Sequence, residues 1–154
     1  MKIAVPTRGG VVDNHFGHCD HYTIFTVNDG EVKMKEILPS PQGCGCKSGV
    51  VFVLRQKGVQ VMLAGNIGEG AKNVLESNEI KVMPLLALRN IAVLPGMLVH
   101  FDVNRKISIH AVEQAMKSDQ MIFAVMQKDA SVDEPAVDDL YRVGCVAKVK
   151  QIIK

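Results

Sequence analysis

A chain of 154 residues can bury one good hydrophobic core or two meagre ones, and 47% apolar with 22% charged residues is the composition of a folded protein. A formal net charge of +2, scattered lysines and 5% aromatic residues offer no surface for nucleic acid. No apolar run reaches membrane-spanning length, since Pro95, Gly96 and His100 interrupt the greasiest window, and Arg8 and Gly9 arrive before a signal-peptide core could form. The expectation is no membrane partner and a cytoplasmic location in which thiols stay reduced.

In chain order, residues 2–6 read as a short strand closed by Pro6 and Arg8-Gly9-Gly10. Residues 22–27 and 31–38 read as antiparallel strands, because Asn28-Asp29-Gly30 between them is a strong hairpin signal. Between the first two strands lies His15-Phe16-Gly17-His18-Cys19-Asp20-His21, and a loop marked by Pro39, Pro41 and Gly43 carries Cys44-Gly45-Cys46 toward a helix that starts near Ser48 and ends at Lys57-Gly58. Imidazole and thiolate together suit zinc, copper, iron or iron–sulfur species, and a helix start favours thiolate. Cys19, Cys44, Cys46, His15, His18 and His21 are therefore the candidate metal ligands. The alternative is a polar loop that happens to be rich in histidine. The donors exceed four, so some are spectators, and spacing fixes neither the metal nor the ligand set.

Residues 59–64 form a nearly continuous apolar run, the pattern of a buried parallel strand. Gly65-Asn66-Ile67-Gly68-Glu69-Gly70 then turns into a helix over 71–77, and another strand begins at Ile80. This glycine loop lacks the Gly-Lys-Ser/Thr of a phosphate loop and the third glycine of a dinucleotide fingerprint. Gly65, Asn66, Gly68 and Gly70 are better read as a tight turn whose amides could contact an anion or a cluster edge. The order β-β-β-α-β-α-β is an α/β arrangement in which ligands gather at the C-terminal ends of strands, so the His/Cys turn and the glycine loop could face one crevice.

Met1-Lys2-Ile3-Ala4-Val5, the His15-Phe16-Gly17 turn, Cys44-Gly45-Cys46 and Met62-Leu63-Ala64-Gly65-Asn66-Ile67-Gly68-Glu69-Gly70-Ala71 resemble the dinitrogenase iron–molybdenum cofactor biosynthesis family of NifX and NifB C-terminal type. The resemblance runs to about Val82. It implies a ribonuclease-H-like mixed sheet and the binding or carriage of iron–sulfur or iron–molybdenum–sulfur clusters without turnover, with cluster-transfer proteins as partners.

From Met83 the texture changes. Residues 85–88 and 98–103 read as strands, 107–117 as a helix through Ile109, Val112 and Met116, 121–126 as a buried strand, 129–139 as a solvated acidic loop and 143–153 as a last strand. Cys145 reads as an inert core thiol, and Met83, Met97, Met116, Met121 and Met126 as core filler. Met83-Pro84-Leu85-Leu86-Ala87-Leu88-Arg89-Asn90-Ile91-Ala92-Val93-Leu94-Pro95-Gly96-Met97, Ser108-Ile109-His110-Ala111-Val112-Glu113, Gln127-Lys128-Asp129 and Asp138-Asp139-Leu140-Tyr141-Arg142-Val143-Gly144 resemble the start of the N-terminal substrate-recognition domain of Lon protease. That implies a β-rich α+β segment binding unfolded polypeptide through apolar surface at Leu94, Met97 and Phe101.

Two families thus meet at Val82/Met83, each contributing its N-terminal portion: a truncated NifX-like domain over 1–82 and a truncated Lon-like domain over 83–154. One strand-like run crosses the join with no Gly/Ser spacer, which favours a chimera over a natural fusion of complete domains. No serine elbow or paired carboxylates stand out, and the expectation is a non-enzyme. Uncovered sheet edges should make it a homo-oligomer. A recombinant fold with no retained function is the third possibility.

Overall fold

A computed structural model describes residues 1–13, 16–41, 48–65 and 67–153. The elements in chain order are β1 (Lys2–Arg8), β2 (Val11–Val12), β3 (His21–Asn28), β4 (Glu31–Pro39), α1 (Ser48–Gln56), β5 (Val61–Ala64), α2 (Glu69–Ser77), β6 (Lys81–Leu88), α3 (Lys106–Lys117), β7 (Met121–Gln127), a 3-10 turn (Val137–Asp139) and β8 (Leu140–Lys148). The strands make one mixed sheet in the order β4-β3-β1-β5-β6-β7-β8, with β2 folded back on β1. The predicted hairpin is there: β3 and β4 are antiparallel, and the turn between them uses positive φ at Asp29 (51°) and Gly30 (77°).

The join expected at Val82/Met83 falls inside β6. Residues 81–84 pair in parallel with β5, and residues 85–88 pair in parallel with β7 on the other side. Pro84 has no N–H to give to a ladder, and it is the last residue paired to β5 before the partner changes. Val82 and Met83 are both buried, so the junction is sheet core rather than linker.

Period-two alternation sends β-strand side chains to two different environments. Ala4, Ile24, Met62, Ala64 and Val82 pack under Val50, Val51 and Leu54 of α1 and Leu75 of α2. Farther along the same face, Leu86, Leu88, Ile122 and Ala124 meet Ala111 and Ala115 of α3. The other face carries Val5, Leu63, Met83, Leu85 and Val125, with Ile3, Phe25, Ala87 and Phe123 around them. Among the described residues no helix packs against that second cluster; Val12, Val137 and Leu140 close part of it.

The second cluster joins residues from both sides of the join. So do the backbone bridge of Val11 to Ala136 and the Val137 N–H donated to Gly10 O at 3.0 Å. The loop over 129–139 is therefore more than a solvated acidic connection. Its C-terminal part is tied to β2, and Gln127, itself buried, donates to Asp129 O at 2.6 Å and Val132 O at 2.9 Å. Residues 98–103 form no strand: Asn90 and Gly96 sit at positive φ (56° and 81°), the chain turns at Leu94–Met97, and no neighbouring strand takes up the ladder. Met97 is exposed, not core filler, and Cys145 is only half-buried on the edge strand β8.

Candidate functional site

The turn after β2 and the loop after β5 come out at the same end of the sheet, because β1 and β5 run parallel with Ile3 opposite Val61. The end of β4 lies there too, since Pro39 faces His21 and His21 faces Thr7. Ser40 N–H donates to Asp20 O at 2.9 Å, and α1 begins at Ser48 and runs back toward the opposite end, where Gln60 N–H reaches Lys2 O at 3.0 Å. Four chain segments thus converge where the parallel strands end, the place an α/β sheet offers to ligands.

Within this end the described part of the His/Cys turn is tightly held. Tyr22, 1% exposed, donates its hydroxyl to Phe16 O at 2.6 Å, and the Cys19 thiol points at the same carbonyl at 3.6 Å. The Phe16 and Tyr22 rings pack at a centroid separation of 5.4 Å. Asp20 accepts from Gly9 N–H at 2.9 Å, Arg8 pairs with Asp13 at 3.0 Å, and Arg8 also donates to the His18 carbonyl. Burial pushes the Cys19 thiol up from its ordinary value, against hydrogen bonds from Tyr22 and Ser40 that act the other way. Burial likewise raises the Tyr22 phenol, with the neighbouring Cys19 adding to it. Cys19 is thus a free, protonated, inward-facing thiol.

Cys19 is buried, His21 is half-buried on β3 and His18 is exposed. His15, Cys44, Cys46 and Asn66 lie outside the described residues. Among the described residues no three His, Cys, Asp or Glu side chains come together as a metal site. Gly65 is buried at the end of β5, Gly68 is the extended N-cap of α2 and Gly70 lies in its first turn, where Gly68 O accepts from Lys72 N–H at 3.0 Å.

At the other candidate surface, Leu94 and Met97 are 60% and 51% exposed, joined by Leu98 at 67%. Phe101 is half-buried and packs with Val93 and Val103 against the α3 core. It borders a cavity of about 300 Å³ shared with Arg89, Arg105 and Ser108. Arg105 donates to Gln127 Oε1 at 2.8 Å and to the Ala87 carbonyl, and burial together with the nearby Arg89 lowers its ordinarily very high pKa. Sequence reading missed this Arg105–Gln127 brace. A buried glutamine beside an apolar strand was its one signal.

Fold and site together define a mixed α/β sheet protein with its candidate ligand end at the C-termini of parallel strands. Residues 1–92 match the dinitrogenase iron-molybdenum cofactor family, and the chain belongs to that family. Residues 82–154 match the substrate-binding domain of ATP-dependent protease La (LON), so the chain is a two-part chimera whose two matches overlap on β6 and the residues just after it. Lon protease of Lachnoclostridium phytofermentans is 55% identical over 78 residues, 51% of this chain and 10% of that protein. The chain spans about a tenth of the length of the curated relatives it matches. The crystal structure of PH0822 superposes with TM-score 0.50 at 21% identity over 56% of this chain and 78% of its own. The apo form of the orange protein from Desulfovibrio gigas is 26% identical over 54% of this chain and 73% of its own, with TM-score 0.46. No helix among the described residues is long and apolar enough to cross a membrane.

Proposed function

We propose that the chain is a non-catalytic binding protein whose first part takes an iron–sulfur or iron–molybdenum–sulfur cluster as cargo, with zinc as the simpler alternative load. The family match over residues 1–92 carries this reading. It is supported by Cys19 standing at the ligand end of the sheet beside Ser40, in the same buried cluster as Ile67 of the glycine loop. Cys19, Cys44 and Cys46, with His15, His18 and His21 as further donors, are the residues proposed to hold the cargo, and Gly65, Asn66, Gly68 and Gly70 to touch its anionic edge. Because burial keeps the Cys19 thiol protonated, cluster binding there releases a proton and strengthens as pH rises. The strand order β4-β3-β1-β5-β6, with β3 antiparallel to the rest, supports a ribonuclease-H-like arrangement for this part. Cluster-transfer proteins in the cytoplasm are the partners that go with it.

The test is anaerobic loading with iron and sulfide, then with zinc, reading bound metal per chain and visible absorbance for the protein, a Cys44→Ser/Cys46→Ser variant and Cys19→Ser. Stoichiometric uptake that the variants lose is the expected result. A cooperatively folding protein that takes up no metal overturns the proposal.

The exposed apolar group Leu94, Met97 and Leu98 favours a second reading, in which the Lon-like part holds unfolded polypeptide with Phe101 at its border. Binding of a reduced, unfolded client that the cysteine variants leave unchanged would support it, and loss of that binding in Leu94→Ser/Met97→Ser identifies the surface. The apolar edge strand β8, with Val143 at 72% and Val146 at 49% exposure, is where self-association is proposed.

A further inference from the structure

The face of the sheet that no helix covers among the described residues is also a trough of about 560 Å³, a volume within the roughly 300–1,000 Å³ of small-molecule sites. Its floor is apolar: Ile3, Val5, Phe25, Leu63, Leu85 and Val125 come from strands on both sides of the join. Its rim is cationic. Lys33, Lys35, Lys128 and Arg142 line it against one acidic side chain, Asp138.

The rim charges do not cancel. Lys33 pairs with Glu31 outside the trough, while Lys35 holds Asp138 at 2.8 and 2.9 Å. Lys128 spends a donor on the Asp138 carbonyl at 2.6 Å, which leaves its charge unneutralised. Arg142 makes no ion pair among the described residues, and it stands close enough to Asp138 to help hold that carboxyl below its usual range, after Lys35 and Lys128. Three cations thus converge on one carboxylate. The place is short of about two negative charges.

An apolar trough capped by surplus positive charge matches a ligand with the opposite ends: a long alkyl chain for the floor and an anionic head for Lys128 and Arg142. A second copy of the chain on this face would bring two such rims together, like charge on like. We infer that the helix-free face is a binding site for an anionic amphiphile of the long-chain carboxylate class, with the tail over Phe25, Leu85 and Val125 and the carboxylate at Lys128 and Arg142. This site lies on the opposite face from the packing of α1 and α2, and it does not depend on cluster binding.

The experiment is calorimetric titration of the full chain with dodecanoate below its micelle concentration, alongside butyrate and dodecanol, with sedimentation of the same samples. Dodecanoate should saturate at one per chain, and butyrate should bind more than about a hundredfold weaker because eight buried methylenes are missing. Lys128→Gln/Arg142→Gln should weaken dodecanoate about tenfold and leave dodecanol unchanged. Both rim residues are exposed, so the variant should keep its fold. No saturable binding overturns the inference, as does a rim variant that shifts carboxylate and alcohol alike. Dodecanoate binding only as a dimer dissociates also overturns it, in favour of a second copy as the occupant.

Discussion

On one face of the sheet, α1, α2 and α3 cover Ala4, Ile24, Met62, Leu86 and Ala124; on the other, Leu63, Leu85 and Val125 form an equally apolar surface with no helix over it among the described residues. The same strands build both, since alternate residues of each strand face opposite ways. Burial on the first face comes from close-packed side chains. On the second it comes from β2, Val137 and Leu140 leaning in from the rim around an open trough. An apolar strand pattern therefore reports that a residue faces away from water, but not what covers it.

The largest expected effect separates the faces with one chemistry. Leu54→Ala, at 0% exposure under the helices, should cost in the upper part of the roughly 2–5 kcal/mol range for such truncations, since the close-packed site cannot collapse. Leu85→Ala, which borders the trough, should cost at least about 1 kcal/mol less, because its missing atoms enlarge a space that already exists. Denaturant unfolding of both variants checks this, and equal costs would mean that the trough is filled in solution.

Next in size is Gly144→Ala. A methyl there would stand 2.6 Å from the Ala124 carbonyl oxygen and 2.6 Å from the Phe123 ring, which lies over the glycine. A clash with backbone cannot be relieved by a rotamer change, so a loss of about 1–3 kcal/mol is expected, with hydrogen exchange rising first along β8.

The smallest concerns the clip between the two parts of the chimera. Lys35 holds the Asp138 carboxyl below the usual carboxylate range, so the pair's contribution is present above the unfolded value of about 4 and is lost as pH falls through the lower folded value. Asp138 is 79% exposed, and screening keeps the contribution under about 1 kcal/mol. Asp138→Asn should therefore differ slightly from the parent at pH 7 and low salt, and match it at pH 2 or in high salt.

Most of the elements were legible because their signals are local. Asn28-Asp29-Gly30 dictates a turn through φ, and the spacing of Ile109, Val112 and Met116 marked the helix, although the side it buries is that of Ser108, Ala111 and Ala115, with Ile109 exposed. The strand expected over 98–103 fails on a non-local condition, the want of a neighbouring strand. The role of 129–139 was hidden for the same reason, since nothing near Ala136 in sequence says that Val11 will bridge to it.

The sequence by itself carried the resemblance to two families in its first and second parts, a strand-like run with no spacer between them, and a His/Cys turn between the first two strands. The run and the turn follow from hydrophobic periodicity and turn chemistry, which act over a few residues, whereas the two families follow from the resemblance of whole segments. Only the tertiary structure decided that the two parts share one sheet through β6, that their side chains form a common cluster on its second face, and that Lys35, Lys128 and Arg142 gather around Asp138 at its rim. Those outcomes depend on which strand lies beside which, and pairing between distant segments is set by closure of the whole sheet.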